Sequence, residues 1–592
     1  MIAPPPARPW RRAVSRTLLG AGVVLAAACV WLAVRAALAY AEVAALQRAA
    51  DRFEHTLDGA QFDASFLDRV SGDAGALAGH AQTLASLTSD PIWRVAEHAP
   101  FAGPNLRAIR VGAAELAALT AAGRDILRSA GPVVTPTAAG GVDVDAIEAL
   151  RAPLREAVAA LGDARERLAA LDRSHVVGPI AAALDLLDRG VARAGPAIEA
   201  LHATSEIAPA MLGADGDRLI LVMLQNPGEL RAAGGIAGTF VAIRAKDGVL
   251  ALEAQTDSES FPPAREPLLP VPDDASTWPD DDVARYVQNL SGTPDFALSA
   301  QLAAAWWRGY AGQQPDAVLS IDPLVLQPLL RVTGPVRAGG EQIAAEQVVD
   351  ALLRRPYLER DRPEQAMFFA AVAEALFAAA MADAAHAAPI AYHVVPLVEE
   401  GRVALWSAHA REQAAIARSP VAGMRARIEQ RDAHALLFDD LTGGKLGAYL
   451  SATFALDASA CRADGRGTVL VRATLTSEVP PDILLPWTSF PAWGGFERDH
   501  IGVRLTALAP PGAIVEGVHL DGEPHAWSSA TVIGRPGAAT RIDVPPGDAV
   551  AVEFRFASAA QGADAHGAPA PALVHTPLVG DSPVAVTGGG CG

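Results

Sequence analysis

The sequence predicts a multidomain chain of α/β plus all-β class: an N-terminal transmembrane helix, a helical bundle or stalk, an α/β domain and a C-terminal β-sandwich. Three observations carry this. Residues 17–34, "TLLGAGVVLAAACVWLAV", form an uncharged run. Apolar residues then recur at three- and four-residue spacing to about residue 210, the period of helices. Beyond Tyr449, short alternating runs are separated by Gly, Pro and Asp clusters, the pattern of a sandwich. At 592 residues the chain is long enough for several domains.

The apolar run is long enough to enter a bilayer, and "RAALAY" extends it if Arg35 snorkels, giving a span of 17–40. Arg8, Arg11, Arg12 and Arg16 precede it, which places residues 1–16 in the cytoplasm and the bulk of the chain outside. A cleaved signal peptide, with "ALA" at 37–39 as its small-residue site, is the rival reading. A lipoprotein site at Cys29 is disfavoured because "VWLAV" continues the apolar run behind it.

The chain has 48 basic and 67 acidic residues, a formal net charge of −19. Nucleic-acid binding requires a basic face, so nucleic acid is excluded as a partner. An acidic surface is also repelled by anionic lipid headgroups, so attachment to a membrane rests on the apolar helix.

Residues 41–210 read as an antiparallel helical bundle, broken at "DPIWRVAEHAPFAGPN" and "GPVVTPTAAGGVD". Residues 211–435 read as an α/β domain. "RLILVMLQ", "GTFVAIRA" and "GVLALEAQT" are strand-length runs, the last two joined by "KDG", a hairpin signal. Helices are expected at "ALSAQLAAAWWRGYA", "PLVLQPLLRV", "EQIAAEQVVDALLRR" and "RPEQAMFFAAVAEALFAAAMADAA", and strands at "DAVLSI" and "RVALWSA". Residues 436–560 hold the short strands of the sandwich, and 561–592 read as a flexible low-complexity tail. Cys461 and Cys591 lie in the exported region and are candidates for a disulfide.

Nucleophile-elbow, zinc-protease, Cys-x-x-Cys and P-loop signatures are absent. Two stretches carry candidate chemistry. "LQNPGELRAAGGIAGTF", residues 224–240, places Gln225, Asn226, Glu229 and Arg231 at a strand end before Gly234 and Gly235, where ligands of open α/β sheets collect. A local Glu229–Arg231 pair on a plain turn is the alternative. "LLRRPYLERDRPEQ", residues 352–365, gathers Arg354, Arg355, Arg360 and Arg362 near a helix start, an arrangement suited to phosphate or pyrophosphate, or to a solvated loop. Trp487, Trp493 and Phe496 could stack on sugar or pack within the sandwich.

"DPIWRVAEHAPFAGPNLRAIR", "LQNPGELRAAGGIAGTF", "PDFALSAQLAAAWW", "PDAVLSIDPLVLQPLLRVTGPV" and "RVALWSAHAREQ" resemble, in order and spacing, an actinobacterial envelope family known as domain of unknown function 4012. More distantly, "IDPLVLQPLLRVTGPV" through "ERDRPEQ" is similar to the LytR-CpsA-Psr phosphotransferase domain. That resemblance implies a LytR-CpsA-Psr-like α/β domain on a membrane-anchored protein. It also implies a pocket for a polyprenyl-pyrophosphate-linked glycan or cell-wall polymer, with Mg2+ at the pyrophosphate. Arg231, Arg354 or Arg355, and Arg362 match the family's arginines. Glu359 stands where an aspartate would be, Gln365 replaces an arginine, and "RAAGG" follows Arg231 in place of the metal-binding Arg-Asp-Thr. The expected role is the handling of a cell-envelope or exopolysaccharide glycopolymer, and the alternative is a non-catalytic scaffold of an export or assembly system.

Overall fold

The computed structural model describes residues 9–58, 66–134, 137, 141–278, 281–382, 386–480, 483, 495–559 and 571–588. The chain divides into two compact units, one of Met1–Val133 with Asp145–Ser205 and one of Val134–Val144 with Glu206–Gly592.

The first unit is helical. Helix α1 (Pro9–Asp58) is unbroken, and 18 consecutive residues within its stretch Ala26–Thr56 reach a mean hydropathy of 1.6, long and apolar enough to cross a membrane. Arg35 donates to the Ser86 carbonyl at 2.9 Å and pairs with Asp90 at 3.5 Å, and Ala39 is buried with Leu84 and Ala113. Within residues 35–40 only Ala39 is buried, and Arg35 has protein partners beside α2 (Phe66–Thr88), while Leu38 and Tyr40 stay exposed; α4 (Gly103–Ala130) supplies Ala113 to the same cluster. Between them the expected break holds one helical turn, α3 (Pro91–Ala96), capped by the Asp90 carboxylate. Helices α5 (Val144–Ala169) and α6 (Gly178–Met211) complete the set, with Leu161, Ala164 and Leu168 packed on Ala108, Leu184 and Val191. Small residues at these positions let the helices approach closely.

The second unit begins with β1 (Arg218–Arg231), β2 (Gly234–Lys246) and β3 (Val249–Asp257), the three strands expected. The Asp247–Gly248 turn that joins β2 to β3 has positive φ at both residues, 47° and 80°, as a two-residue hairpin requires. Next come α7 (Asp282–Arg285), α8 (Phe296–Ala311), β4 (Ala317–Ile321) and α9 (Leu326–Thr333). The helix expected over "EQIAAEQVVDALLRR" is absent. In its place β5 (Val336–Ala338) pairs with β6 (Glu341–Ile343) across Gly339–Gly340, and a π turn at Asp350–Arg354 leads to α10 (Arg355–Glu359). A Gly-Gly pair with positive φ, 58° and 84°, fixes the hairpin and overrides the helical spacing downstream. Helices α11 (Arg362–Met381) and α12 (Ala387–Glu399), β7 (Val403–Ser407), α13 (Ala410–Ile416) and α14 (Met424–Gln430) follow.

These strands form one sheet in the order β3-β2-β1-β4-β7, with β1 and β4 parallel and the other pairs antiparallel. Leu219, Leu221, Met223, Phe240, Ala242 and Val318 point to one face, against Phe296, Ala300, Ala303 and Trp307 of α8.

The remaining strands are β8 (His434–Asp440), β9 (Leu450–Cys461), β10 (Gly467–Ser477), β11 (Ile501–Leu508), β12 (Ile514–Leu520), β13 (Glu523–Pro524), β14 (Ser528–Val532), β15 (Arg535–Val544), β16 (Ala549–Ala557), β17 (Leu573–His575) and β18 (Val584–Thr587). They make two sheets, β13-β12-β16-β10-β9-β18 and β14-β15-β11-β8-β17, that share a core of Phe438, Phe454, Val471, Leu505, Ile542 and Phe554.

The flexible tail expected over 561–592 is corrected for residues 571–588. β17 pairs in parallel with β8 and β18 with β9, and Val574, Thr576 and Leu578 are buried. Cys461 is disulfide-bonded, whereas Cys29 is free and exposed, and Cys591 lies outside the described residues. Trp487 and Trp493 also lie outside them. Phe496 packs towards Gly502 under the Arg541 guanidinium, 5.1 Å from its ring centre.

Candidate functional site

The stretch 224–240 is a β-hairpin with an excursion. Pairing runs to Asn226 opposite Ile236 and resumes at Leu230 opposite Gly235, so residues 227–229 leave the ladder. Gly234 and Gly235 are required by this closure. A Cβ at Gly234, whose φ is 143°, would lie 1.9 Å from Gln225 Oε1, and one at Gly235 would lie 2.0 Å from the Asn226 carbonyl. The Gly235 N–H donates to Gln225 Oε1 at 3.2 Å. The two glycines thus serve the turn, and Gln225 locks it.

The excursion docks on residues that sequence reading missed. Asn226 donates to the Tyr357 hydroxyl, and Glu229 pairs with Lys445 and, at 3.1 Å, with Arg231. Lys445 follows the "DDLTGG" turn, in which Asp440 accepts from Thr442 N and Oγ1 at 3.2 and 2.7 Å and from Gly443 N at 2.7 Å. Burial pushes the Glu229 carboxyl up, but the charges of Lys445 and Arg231 outweigh it and hold the group below its ordinary value. Burial and then the Glu229 charge push Asp440 up to about 6. Burial also raises the Tyr357 phenol, with the Glu229 charge adding to it. Lys445 was legible as one of two lysines in the chain, the other being Lys246, but nothing near it in sequence pointed to Glu229.

The arginines do not converge. Arg231 is buried, donating to Asn289 Oδ1 at 3.1 Å and the Leu230 carbonyl at 2.8 Å, and lies 4.6 Å from the Trp278 ring centre. Arg354 donates to the Ala448 carbonyl at 3.2 and 2.8 Å and covers the Tyr449 ring. Arg355 pairs with Glu341 at 3.0 Å and Asp350 at 2.8 Å, and Arg360 with Glu341. Arg362, half exposed, pairs with Glu259 at 2.9 Å. Of the four proposed pyrophosphate ligands Arg231, Arg354, Arg355 and Arg362, only Arg362 borders the cavity described next.

That cavity, of about 890 Å3, lies between the second face of the five-stranded sheet and α9 and α11. Val222, Leu224, Val241, Ile243, Leu319 and Ile321 floor it, alternating along the strands with the residues packed on α8. Ala366, Phe369, Ala370, Ala373 and Phe377 of α11 form the opposite wall. Ala366 and Ala370 are exposed, so the cavity is a groove open to the surface. Most of its polar groups gather at one end. Leu224 lies opposite Thr239 and Ile321, and Thr239 opposite Asp257, which puts Gln225, Asn226, Asp257, Ser258, Glu259 and Asp322 together just past Leu224 and Ile321, where the parallel pairing of β1 with β4 ends.

The acids at that end do not form a magnesium site. Glu229 is paired with Lys445 and Arg231, Asp322 with Arg402 at 2.8 Å, and Glu259 with Arg362, while Asp257 caps the turn at 258–260. Among the described residues the acid and histidine group spaced for a metal is Glu497, Asp499 and His500, away from the groove lining.

No curated protein and no solved structure matches the chain. Residues 215–357 match a family model, and the matched stretch runs from just before β1 to Tyr357, enclosing the hairpin, β4 and the π turn. The matched family is described as "Protein of unknown function (DUF4012)", and it is this segment of the chain that is similar to it.

Proposed function

We propose that this is a membrane-anchored extracytoplasmic protein that holds the apolar chain of an amphiphile, of the class of lipid-linked cell-envelope or exopolysaccharide glycans. The observation that carries the reading is the groove: an aliphatic sheet face, opposed by a helix that lines it mainly with alanine and phenylalanine, with most of its polar groups at one end and Gln255 and Glu374 along its length. Its volume of about 890 Å3 suits a ligand of substantial size. α1 supplies the anchor, and the arginines before residue 17 set its direction, N-terminus inside. The mixed sheet, with helices on both faces, agrees with a LytR-CpsA-Psr-like α/β domain, and the two C-terminal sheets with a β-sandwich. Binding is the activity proposed, because the paired arginines and acids leave no assembled catalytic set.

The test uses the full chain in phosphatidylcholine nanodiscs with a photoactivatable farnesol. Adducts are expected on peptides of β1, β2 and α11, and Ala373→Trp, which fills the groove from a half-buried helix position, is expected to cut labelling about tenfold. Equal labelling of the variant, or adducts spread outside the groove, favours the competing scaffold reading.

A further inference from the structure

We infer that the polar end of the groove selects an uncharged, hydroxyl-rich head group, a glycosyl unit, over a pyrophosphate. The inference rests on the groove holding an apolar chain, as proposed above, and concerns what that chain is attached to.

The polar end is acid-rich. Glu229, Asp257, Glu259 and Asp322 border it, against Arg362 and Lys445. Both cations are engaged, Lys445 by Glu229 and Arg362 by Glu259. The neighbouring arginines are held as well: Arg231 by Glu229 and by Asn289 behind the hairpin, Arg402 by Asp322, and Arg354 by the Ala448 carbonyl. Among the described residues each cation beside these carboxylates is already engaged, so a pyrophosphate would bring two or more negative charges to them without an unengaged guanidinium to receive it, and like charges set against each other in a partly desolvated site are strongly unfavourable.

The same groups suit hydroxyls. A carboxylate accepts from two neighbouring hydroxyls at once, and amides both donate and accept. Gln225 lines the groove, and its amide oxygen accepts from the Gly235 N–H. The Tyr357 hydroxyl, on a buried ring, accepts from Asn226, which leaves its own proton to donate. Thr239, Ser258 and Gln288 add further uncharged donors and acceptors along the same edge. Phe369, tilted 41° against Tyr357 with ring centres 6.1 Å apart, gives the groove lining an apolar surface for a sugar face beside the Tyr357 hydroxyl.

The test is competition against groove photolabelling of the full chain in phosphatidylcholine nanodiscs, using farnesyl β-glucoside, farnesol and farnesyl pyrophosphate, which share one chain. The glucoside is expected to compete at about tenfold lower concentration than the pyrophosphate, a difference of about 1.4 kcal/mol. Glu259→Gln, a change at an exposed side chain, is expected to narrow that gap by removing one carboxylate from the polar end. A pyrophosphate that competes as well as or better than the glucoside overturns the head-group inference and leaves the groove reading standing. If none of the three competes, the groove reading itself is lost.

Discussion

Gly235 has no room for a side chain, since a Cβ would meet the carbonyl carbon and oxygen of Asn226 at 2.0 Å. Gly235→Ala is therefore expected to destabilise the second unit by about 3 kcal/mol, read as a lower urea midpoint. His434 carries a pH dependence. It is buried with both ring nitrogens unpartnered, and burial, helped by the Arg535 charge, lowers its pKa to about 4. With the folded value depressed from 6.5, its stability contribution is present above pH 6.5 and is lost as pH falls to about 4. The loss from this group is about 3 kcal/mol. Asp439 works in the opposite sense. Burial raises it to about 6, so its contribution is full below pH 3.8 and lost as pH rises through about 6. Urea unfolding between pH 4 and 7.5 should show His434→Leu losing less stability on acidification than the wild type, and Asp439→Asn losing more. The opposite ordering would contradict the two burial assignments. Among the site residues, composition and spacing pointed to Gln225, Asn226, Glu229 and the glycines, and these do shape the polar end of the groove. They did not show that Arg231 turns inward, because its partner Asn289 lies 58 residues away.

At the scale of elements, the strands long enough to show as apolar or alternating runs between turn residues were legible: β1 to β4, β7 and most of those after Tyr449. The β5–β6 hairpin was hidden because strands of three residues are too short to show a period, and helical spacing in "EQIAAEQVVDALLRR" is satisfied by a π turn and α10. β17 and β18 were hidden by glycine and proline around them. They hold their places through non-local contacts: Thr576 Oγ1 donates to the Ala232 carbonyl at 2.7 Å, and Arg402, in a buried pair with Asp322, donates to the Leu578 carbonyl at 2.7 Å. Arg402→Ala strands Asp322 as a buried unpaired carboxyl and releases this carbonyl, at an expected cost of about 3 kcal/mol. Hydrogen exchange should then show faster opening at residues 573–579, while amides of β10 and β16 stay protected. Uniform loss of protection would mean that the pair serves the whole unit.

At the scale of the molecule, the sequence announced a helical portion, a mixed sheet and an all-strand portion behind an apolar helix, and all of these are present. It did not announce the groove. A strand with apolar residues on both faces reads as buried on both faces, and the pattern of Val222, Leu224, Val241 and Ile243 cannot reveal that helices cover the second face only in part. Clustered arginines in one stretch likewise read as a site, whereas the fold distributes them among Glu341, Asp350, Ala448 and Glu259. The most direct test of the groove as a place for an apolar chain is native mass spectrometry of the full chain released from nanodiscs made with its host membrane lipids. The wild type is expected to retain one equivalent of an amphiphile that Ala370→Trp and Ala373→Trp both lose while remaining folded. A wild-type protein that emerges with no bound amphiphile, or variants that keep it, would contradict the account.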